Sequence, residues 1–328
     1  MKTALFENFG KPDENVGIHN IPTPEPGPDQ LRLRIHFSPI HPSDLNLIEG
    51  IYGILPELPA CPGGEACATI DAVGEKLQTQ FTVGTTVILP QRPAAGTWSE
   101  HLLVHPREIH PVPSGINLEQ ASMLALNPAT AWGLLELFTP LSPGDWIVFN
   151  AANSAVGYAL IQLAQQRGLK TLAFVRREEA MAELQELGAD LVLLDHADSL
   201  AQAREAFGDK PPHLALNAVG GDSALRLMDL LANEGVHVTY GAMSRRSLKV
   251  PNKFLIFKRI TLTGFWVTRW LQSASTEEVS TMLNELAELM KNHQLHMPVA
   301  EVFPIDEVQA ALLAAQGDRR QGKILLKF

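Results

Sequence analysis

The stretch that decides the fold runs from residue 144 to residue 168 and reads GDWIVFNAANSAVGYALIQLAQQRG. Its apolar run at 146–149 is short and follows a Pro-Gly pair, which is typical of a buried parallel strand. A turn of small residues comes next, and apolar residues then recur at helical spacing from Val156 until Gly168, where a helix would end. Strand, small-residue turn and helix together aim a helix N-terminus at a phosphate, so we expect a dinucleotide-binding unit here.

The glycine fingerprint of such turns is altered in this chain. Its three positions are occupied by Ala152, Ser154 and Gly157. Alanine and serine still permit a close approach of the backbone to a phosphate, and Gly157 allows the helix to pack tightly on the strand. The alternative for this stretch alone is an ordinary strand-turn-helix that binds no ligand.

Length and composition indicate a globular protein with more than one domain. The 328 residues are 45% hydrophobic and 19% charged, with a net charge of −10. This charge does not favour a nucleic-acid partner, and no apolar run reaches the ~18 residues of a membrane span, so we expect no membrane partner. Two cysteines, Cys61 and Cys67, predict neither a disulfide framework nor a four-ligand zinc site. With no signal peptide evident, we expect a reducing, cytoplasmic setting.

Three segments with different sequence patterns follow one another. Residues 1–122 alternate short apolar runs with glycine and proline turns, which predicts a β-barrel-like domain. Residues 123–298 alternate strand and helix patterns, which predicts an α/β domain with a doubly wound parallel sheet of the Rossmann type. Residues 299–328 end in an apolar run, and we expect them to rejoin the first domain. A ligand would bind in the cleft between the two domains.

The end of the second strand of the α/β domain indicates the cofactor. A dinucleotide fold places an acidic residue there to bind the 2′-hydroxyl of NAD, or an arginine to bind the 2′-phosphate of NADP. In this chain Phe174-Val175 is followed by Arg176 and Arg177, and the first acidic residue is Glu178. A guanidinium group matches a phosphate in charge and geometry, so we predict NADPH and expect Arg177 to face solvent more than Arg176.

Several further segments extend the pattern across nearly the whole chain: 46–53 (NLIEGIYG), 127–131 (NPATA), 153–157 (NSAVG), 238–244 (VTYGAMS), 255–258 (LIFK) and 264–266 (GFW). In them the chain resembles the medium-chain dehydrogenase/reductase superfamily and, within it, the mitochondrial-type 2-enoyl thioester reductases of fatty-acid synthesis. The resemblance implies a GroES-like catalytic domain beside the Rossmann domain. It also implies NADPH-dependent reduction of the C2=C3 bond of trans-2-enoyl thioesters of coenzyme A or acyl carrier protein.

The resemblance assigns roles to individual residues. Hydride addition to the β-carbon leaves negative charge on the thioester oxygen and requires a proton donor, and Tyr52 matches the catalytic tyrosine of the family. Tyr158 is expected to pack within its helix, and Lys258 to be solvated or to meet a substrate phosphate. The implied cofactor contacts are Asn127, Thr130, Asn153, Ser154, Ala155, Val156, Gly157, Arg176, Arg177, Tyr240, Gly241, Ala242, Met243, Phe265, Trp266, Val267 and Lys323.

The chain departs from the zinc-dependent members of the superfamily. Residues 39–44 (PIHPSD) contain no cysteine, and Gly64 stands before Glu65 where those enzymes have a histidine. We therefore predict no metal in the site and expect Cys61 and Cys67 to be packed side chains.

Two other functions and the assembly remain open from the sequence. A quinone or enone reductase would use the same hydride in a looser pocket, and a non-catalytic NADPH-binding sensor would bind the cofactor without turnover. By analogy with the family we expect a homodimer that joins the two sheets at their edges, with residues 261–265 as the candidate edge.

Overall fold

The computed structural model describes residues 1–317 and 320–328. In chain order its strands are β1 (Lys2–Phe6), β2 (Val16–Asn20), β3 (Leu31–Pro39), β4 (Cys67–Val73), β5 (Thr86–Ile88), β6 (His101–Val104), β7 (His110–Pro111), β8 (Trp146–Phe149), β9 (Lys170–Val175), β10 (Leu191–Leu194), β11 (Leu214–Asn217), β12 (Val236–Thr239), β13 (Thr261–Gly264), β14 (Val299–Pro304) and β15 (Lys323–Lys327). Its helices are α1 (Pro12–Asn15), α2 (Pro42–Ile48), α3 (Leu118–Ala121), α4 (Asn127–Glu136), α5 (Ala155–Gln166), α6 (Met181–Glu186), α7 (Ser199–Phe207), α8 (Gly221–Leu230), α9 (Asn252–Ile256), α10 (Val267–Ser273), α11 (Thr276–Lys291) and α12 (Val308–Gln316).

The chain forms two compact units. Unit 1 contains Met1–Leu126 and Trp270–Phe328, and unit 2 contains Asn127–Arg269. The sequence-based boundaries, after residues 122 and 298, differ from these mainly in residues 270–298. That segment lies with unit 1 because His110 Nε2 is 3.1 Å from Asn284 Oδ1, and the Gln120 side chain bonds to the backbone of Met297.

Unit 2 contains a six-stranded sheet in the order β10-β9-β8-β11-β12-β13, within the residues that the structure describes. Each neighbouring pair of strands is parallel. This is the order of dinucleotide-binding sheets, in which the winding reverses between β8 and β11 and ligands bind beyond the carboxyl ends of the strands there. The predicted doubly wound sheet is confirmed.

The central strands of unit 2 are mainly apolar and buried, because helices cover the sheet. Every residue of β8 and β11 is buried. On one face Val148 and Phe174 join a cluster with Phe207 of α7, Leu227 of α8 and Phe254 of α9. Parallel strands buried on both faces are continuous apolar runs rather than alternating ones, which is the pattern that predicted them.

Unit 1 is built around a second sheet, in the order β14-β15-β3-β4-β5-β7, with β6 also paired to β3. The alternation predicted for β3 is present, since Leu31, Leu33 and Ile35 are buried while Arg34 is exposed. The C-terminal strand β15 runs antiparallel to β3, with Leu325 opposite Pro39. The end of the chain therefore lies in the same sheet as residues 31–39.

Helix α2 has His41 as its N-cap, and Pro42 occupies its first helical position. Asp44 is the third helical residue, and its Oδ2 accepts a hydrogen bond from the His41 N–H at 2.9 Å, as in a capping box. Helices α3 and α4 are separate, and Pro128 is the second residue of α4.

No helix among residues 1–317 and 320–328 is both long enough and apolar enough to cross a bilayer.

Candidate functional site

The turn between β8 and α5 is tight. Ser154 is the N-cap of α5, and its Oγ accepts a hydrogen bond from the Gly157 N–H at 3.2 Å. A Cβ atom on Gly157 would lie 2.1 Å from the Ala152 carbonyl oxygen, so only glycine fits there. The turn thus carries the N-terminus of a twelve-residue helix, whose first N–H groups have no partner within the helix. Such a terminus suits a phosphate, and these residues fit a dinucleotide.

Two asparagines cross-link the strands on either side of the point where the winding reverses. Asn150 follows β8, and its Nδ2 donates to Asn217 Oδ1 at 2.9 Å and to Ser223 Oγ at 2.7 Å. Asn150 Oδ1 accepts from the Ala218 N–H at 2.7 Å. Asn217 Nδ2 in turn donates to Thr239 Oγ1 at the end of β12, at 3.1 Å. These bonds fix the relative positions of the carboxyl ends of β8, β11 and β12.

The same set of bonds reaches β10. Ser223 Oγ donates to Asp195 Oδ2, and Asp195 follows directly after that strand. Arg226 Nε donates to Asp195 Oδ1 at 2.6 Å, near the surface of the unit. We call Asn150, Asn217, Ser223 and Asp195 the amide network. Its buried interior is uncharged, and its charges meet only at the rim.

The segment after β12 lies at the same edge. The Tyr240 N–H donates to the Asn217 carbonyl at 2.9 Å, and the Met243 N–H donates to the Ala218 carbonyl at 2.9 Å. Burial raises the pKa of Tyr240, and the Ser154 side chain nearby opposes that rise. Tyr240 therefore lies near the fingerprint turn. Met243 is 56% exposed, and Gly241 and Ala242 lie beside it on the surface.

The two arginines predicted to select NADPH follow β9, the neighbour of β8 in the sheet. Arg176 is exposed and Arg177 is half-buried, so our expectation about which of them faces solvent more was wrong. The reason is that Arg177 keeps an extended backbone, with φ −137° and ψ 141°, and the alternation of the strand therefore continues through it. Both guanidinium groups belong to the carboxyl edge of the sheet, where a 2′-phosphate would bind.

The remaining predicted residues of unit 2 are less clearly directed at a ligand. Phe265 packs on α4: its ring lies edge-on to Phe138 with 5.6 Å between centroids, and a Cβ on Gly133 would be 2.5 Å from it. Val267 is buried, whereas Trp266 is 40% exposed. Thr130 is buried in the first turn of α4, and Asn127, its first residue, is half-buried. At the fingerprint turn Asn153 is exposed, and Ala155 and Val156 are half-buried.

Tyr52 lies in unit 1, four residues after the end of α2. The chain reaches it through Gly50, whose φ of 78° suits glycine. The Tyr52 ring packs against the buried cluster that contains Ile40 and Ile48. Its neighbour Ile51 is 56% exposed. The position of Tyr52 therefore depends on where α2 begins and ends.

A chain of three charged or titratable side chains is completely buried in unit 1. Lys323 Nζ lies 2.8 Å from His41 Nδ1, and His41 Nε2 lies 2.8 Å from Glu65 Oε1. Glu65 Oε2 accepts from the backbone N–H groups of Ala125 at 3.0 Å and Leu126 at 2.9 Å. We call Lys323, His41 and Glu65 the lysine network. The contact that was predicted between Lys323 and the cofactor stays a prediction, and the structure gives this side chain a partner inside unit 1.

The protonation of the lysine network follows from its geometry. An ammonium group can only donate, so a charged Lys323 donates to His41 Nδ1 and leaves the imidazole proton on Nε2, 2.8 Å from Glu65 Oε1. Burial and the positive charges of Lys323, Arg320 and Arg92 lower the pKa of His41, which keeps its ring neutral. Burial raises the pKa of Glu65 and lowers that of Lys323, and the charge of each opposes the shift of the other.

These residues do not suit a metal ion. His41 Nε2 and Glu65 Oε1 are only 2.8 Å apart, and the Lys323 amine lies 2.8 Å from the second ring nitrogen. Across the described residues, no group of three or more His, Cys, Asp or Glu side chains could hold a metal. Cys61 and Cys67 have thiols whose pKa is raised by burial, to about 11 and about 12 respectively, as expected of packed thiols.

Lys258 is neither solvated nor available to a substrate phosphate. Its Nζ donates to the carbonyls of Asp229 at 2.8 Å and Leu231 at 2.7 Å, at the C-terminal end of α8. It also lies 5.6 Å from the centre of the Phe254 ring. Both expectations for this residue were wrong. A lysine from outside a helix can donate to the last carbonyl groups of that helix, and the local sequence does not show this contact.

Comparisons with known proteins agree with this arrangement. The family model for the alcohol dehydrogenase GroES-like domain matches residues 27–114, and that for zinc-binding dehydrogenase matches residues 155–288. The human mitochondrial enoyl-[acyl-carrier-protein] reductase is 35% identical over 320 residues, which cover 96% of this chain and 85% of the relative. The chain belongs to the enoyl thioester reductase family of the medium-chain dehydrogenase/reductases.

Solved structures support the same family. Etr1p, a mitochondrial 2-enoyl thioester reductase from Candida tropicalis, has been solved with NADP and crotonyl-CoA. That complex superposes with a TM-score of 0.89 at 26% identity, covering 100% of this chain and 99% of the other. A proposed NADPH:quinone reductase from Bacillus thuringiensis superposes with a TM-score of 0.91, also at 26% identity, covering 100% and 98% of the two chains. Fold similarity alone therefore does not separate the two activities.

The expected cytoplasmic setting is contradicted by the curated relatives. Those from human, Arabidopsis thaliana, Caenorhabditis elegans and Dictyostelium discoideum, at 34–38% identity, are all named as mitochondrial enoyl-[acyl-carrier-protein] reductases. The expectation was based on the N-terminal sequence, in which no signal peptide was evident, and on the presence of only two cysteines. Free thiols report a reducing environment and do not identify a compartment.

Sequence reasoning missed both buried networks. For the amide network a signal was present: Asn150 and Asn217 each end an apolar run, and the ends of parallel strands meet at one edge of a sheet. For the lysine network no comparable signal was present. Lys323 and His41 are 282 residues apart, and Glu65 was noted only as the remnant of an altered metal motif.

Proposed function

We propose that the chain catalyses the NADPH-dependent reduction of the C2=C3 bond of trans-2-enoyl thioesters. The observation that carries the proposal is its 35% identity, over 96% of its length, to a curated enoyl-[acyl-carrier-protein] reductase. The carboxyl edge of the unit 2 sheet supports it, since Gly157, Ser154 and the arginines after β9 suit a dinucleotide phosphate there. The thioester carrier is either coenzyme A or acyl carrier protein.

Residues of unit 2 would bind the cofactor, and a residue of unit 1 would act as the proton donor. NADPH supplies, when bound, a hydride to the β-carbon of the enoyl thioester. The helix N-terminus at Ala155 and Val156 would bind the diphosphate, and Arg176 and Arg177 the 2′-phosphate. The Tyr52 hydroxyl would donate a hydrogen bond to the thioester oxygen as negative charge develops there and deliver the proton that the α-carbon requires. One NADPH and one proton are consumed for each double bond reduced.

The test is NADPH oxidation with crotonyl-CoA and trans-2-hexenoyl-CoA, followed by absorbance, for the wild-type chain and Tyr52→Phe. We expect turnover by the wild type and a loss of about 10²- to 10⁴-fold in kcat in the variant, the usual contribution of a general acid. Ile51→Val, a change in the adjacent exposed side chain, is the matched control and should retain activity. An unchanged kcat in Tyr52→Phe would remove Tyr52 from the mechanism.

A second candidate function, reduction of quinones, is favoured by one observation. The TM-score of 0.91 to the proposed NADPH:quinone reductase from Bacillus thuringiensis is as high as those to the thioester reductases. The same assay with a 1,4-quinone distinguishes the two, because quinone reduction need not use the Tyr52 proton. Turnover of the quinone and not of either thioester would replace the first proposal by the second.

We further propose that two copies associate through the edge of the unit 2 sheet. Strand β13 is the outer strand on that side, and Thr261, Thr263 and Gly264 are exposed. Beside it in sequence, Ile256 is 64% exposed and Phe257 is 76% exposed. Unpaired strand edges and exposed large apolar side chains are both features that association with a second copy would cover.

Light scattering coupled to gel filtration tests the association. We expect the wild-type chain to elute as a dimer, and Phe257→Asp to elute as a monomer because a carboxylate cannot be buried at an apolar interface without a partner. The control is Leu313→Asp, which alters another exposed apolar residue, 59% exposed, on α12. A wild-type monomer, or a dimer that survives Phe257→Asp, would contradict this proposal without touching the reductase activity.

A further inference from the structure

An acidic residue, Asp195, lies at the carboxyl edge of the unit 2 sheet. It follows directly after β10, and its N–H donates to the carbonyl of Val175, the last residue of β9, at 2.7 Å. Leu194 is paired with Val175 in the parallel register, so the next residues along the two strands, Asp195 and Arg176, are neighbours. Adjacent strands lie about 5 Å apart. Asp195 therefore stands beside the arginines that were predicted to select NADPH.

A negative charge at this place works against NADPH. In dinucleotide folds an acidic side chain at the end of the second strand binds the 2′-hydroxyl of NAD, whereas an arginine accommodates the 2′-phosphate of NADP. The Coulomb energy of two like charges falls only with the inverse of their distance, so an acid at the end of the adjacent strand also repels that phosphate. An uncompensated Asp195 would favour NADH over NADPH.

Helix α8 supplies the compensation. Arg226 Nε donates to Asp195 Oδ1 at 2.6 Å, and Ser223 Oγ donates to Asp195 Oδ2. The side chain of Asp195 is 8% exposed and that of Arg226 is 20% exposed, so the ion pair is partly withdrawn from solvent. Salt screens partly buried pairs much less than exposed ones. The guanidinium group therefore offsets the carboxylate charge at the edge where the phosphate would bind.

The geometry of α8 sets this pairing. Ser223 and Arg226 are three residues apart in the helix, so their side chains lie on the same face and reach the same carboxylate. Ser223 Oγ is itself fixed by Asn150 Nδ2, which donates to it at 2.7 Å. Asp195 thus meets its counter-charge on a helix that is bonded to the end of β8, and not on a loop.

We propose that Arg226 is a specificity-determining residue: by neutralising Asp195 it allows the 2′-phosphate of NADPH to bind beside Arg176 and Arg177. This inference rests on the part of the proposed function that assigns the 2′-phosphate to those two arginines. Arg226 acts on the phosphate through the charge of the carboxylate with which it pairs. It takes no part in hydride transfer.

The test measures the Kd for NADPH and for NADH by nicotinamide fluorescence, for the wild type and Arg226→Met. The variant leaves the Asp195 carboxylate without its counter-charge. We expect the Kd for NADPH to rise about 5- to 20-fold and that for NADH to stay within about twofold, because only NADPH carries the 2′-phosphate. The rise should become smaller between 0.1 and 1 M NaCl, where the Debye length falls from about 10 Å to about 3 Å.

The matched control is Arg204→Met. It removes the arginine that pairs with Asp229 near the other end of α8, and it should leave the Kd values of both cofactors unchanged.

Substitutions of Asp195 distinguish an effect of charge from an effect on structure. Asp195→Asn keeps an acceptor for the Ser223 hydroxyl and removes the negative charge, so the Kd for NADPH should stay at or below the wild-type value. Arg226→Met/Asp195→Asn contains neither charge, and its Kd for NADPH should return to within about threefold of the wild-type value. If Arg226→Met does not fold, Asp195→Asn alone carries the test, because a structural role predicts weaker binding of both cofactors.

The outcomes separate this inference from the function beneath it. A wild type that prefers NADPH and reduces no enoyl thioester contradicts the reductase proposal and leaves this inference standing if Arg226→Met loses that preference. An unchanged Kd for NADPH in Arg226→Met overturns the inference. Equal rises for both cofactors, or a double variant that binds NADPH as weakly as the single one, would show a structural role instead. A wild type that binds NADH as tightly as NADPH overturns both the inference and the role of Arg176 and Arg177.

Discussion

Each unit contains a network of buried polar side chains, and the two networks differ in the kind of groups they contain. Unit 2 uses the amide network, in which neutral side chains connect the carboxyl ends of β8, β11 and β12, and Asp195 is paired with Arg226. Unit 1 uses the lysine network, in which an amine, an imidazole and a carboxyl group lie in the interior. Hydrogen-bonded neutral groups cost less to bury than ionisable ones, and removing one partner of a buried ionisable pair is costly.

The difference corresponds to what each unit has to hold. Unit 2 places backbone atoms, namely the fingerprint turn and the segment after β12, and backbone position is set by tying strands together. In unit 1 the lysine network lies at the start of α2, a helix of seven residues with little propensity to form on its own, and Tyr52 is the fourth residue after this helix. The comparison can be tested by substitutions in the two networks, beginning with the one that should have the largest effect on stability.

Removing one charge of the lysine network should have the largest effect on stability. Lys323→Met leaves the Glu65 carboxylate buried without its counter-charge, and we expect a loss of about 3–5 kcal/mol in the free energy of unfolding. Urea unfolding measures it, with Lys327→Met as control. The double variant Lys323→Met/Glu65→Gln should lose clearly less than Lys323→Met alone. A double variant that is less stable than the single one would contradict the account of an uncompensated charge.

The second prediction concerns pH. His237 is buried in β12, neither ring nitrogen bonds to another residue of the described chain, and burial lowers its pKa to about 4. An unfolded imidazole titrates near pH 6.5, so between that value and about pH 4 the unfolded chain binds a proton that the folded chain does not. Stability is therefore full above pH 6.5 and is lost as the pH falls through this window, by roughly 2–3 kcal/mol at pH 4.5.

Urea unfolding at pH 7.5 and at pH 4.5 measures this loss, and His237→Leu should reduce it by that amount. His41 contributes in the same direction in both proteins, so the difference between them isolates His237. His213→Gln changes an exposed histidine of the same unit and should keep the full pH dependence. If His237→Leu unfolds with the wild-type pH dependence, the pH sensitivity of unit 2 has another source.

The sequence predicted the fold of unit 2 closely and its interior only in part. The alternation of strands and helices could be predicted because strands such as β10 and β11 are apolar runs between turn residues, and such runs are recognised locally. Ser154 and Gly157 could be placed for the same reason, since a turn is a local structure. The partner of Lys258 could not be found in this way, because it consists of helix carbonyls that no side-chain pattern encodes.

Removing Asn150 should have a smaller effect than removing a charge of the lysine network. Asn150→Leu leaves the Ala218 N–H buried without its acceptor, and we expect a loss of about 1–3 kcal/mol. The loss should be equal at pH 7.5 and pH 5.5, because none of the groups that bond directly to Asn150 titrates in that range. Asn233→Ala, in an exposed turn of the same unit, is the control. The affinity for NADPH should also fall, since the ends of β8 and β11 are no longer tied.

The smallest loss in the free energy of unfolding is expected from replacing Lys258. This replacement compares the environments of two lysines, Lys258 and Lys323. Lys323 is neutralised by a carboxylate through an imidazole, whereas Lys258 meets only the carbonyl oxygens at the end of α8. A cation at a helix C-terminus contributes about 1–2 kcal/mol in partly buried geometry, so Lys258→Met should lose about that amount in urea unfolding. Lys253→Met, a more exposed lysine near the same Phe254 ring, should lose less than half as much. The two losses in the free energy of unfolding should differ, because only the removal of Lys323 leaves an acidic side chain, Glu65, without its partner. If Lys258→Met loses as much stability as Lys323→Met, the loss is instead determined by burial of the amine itself.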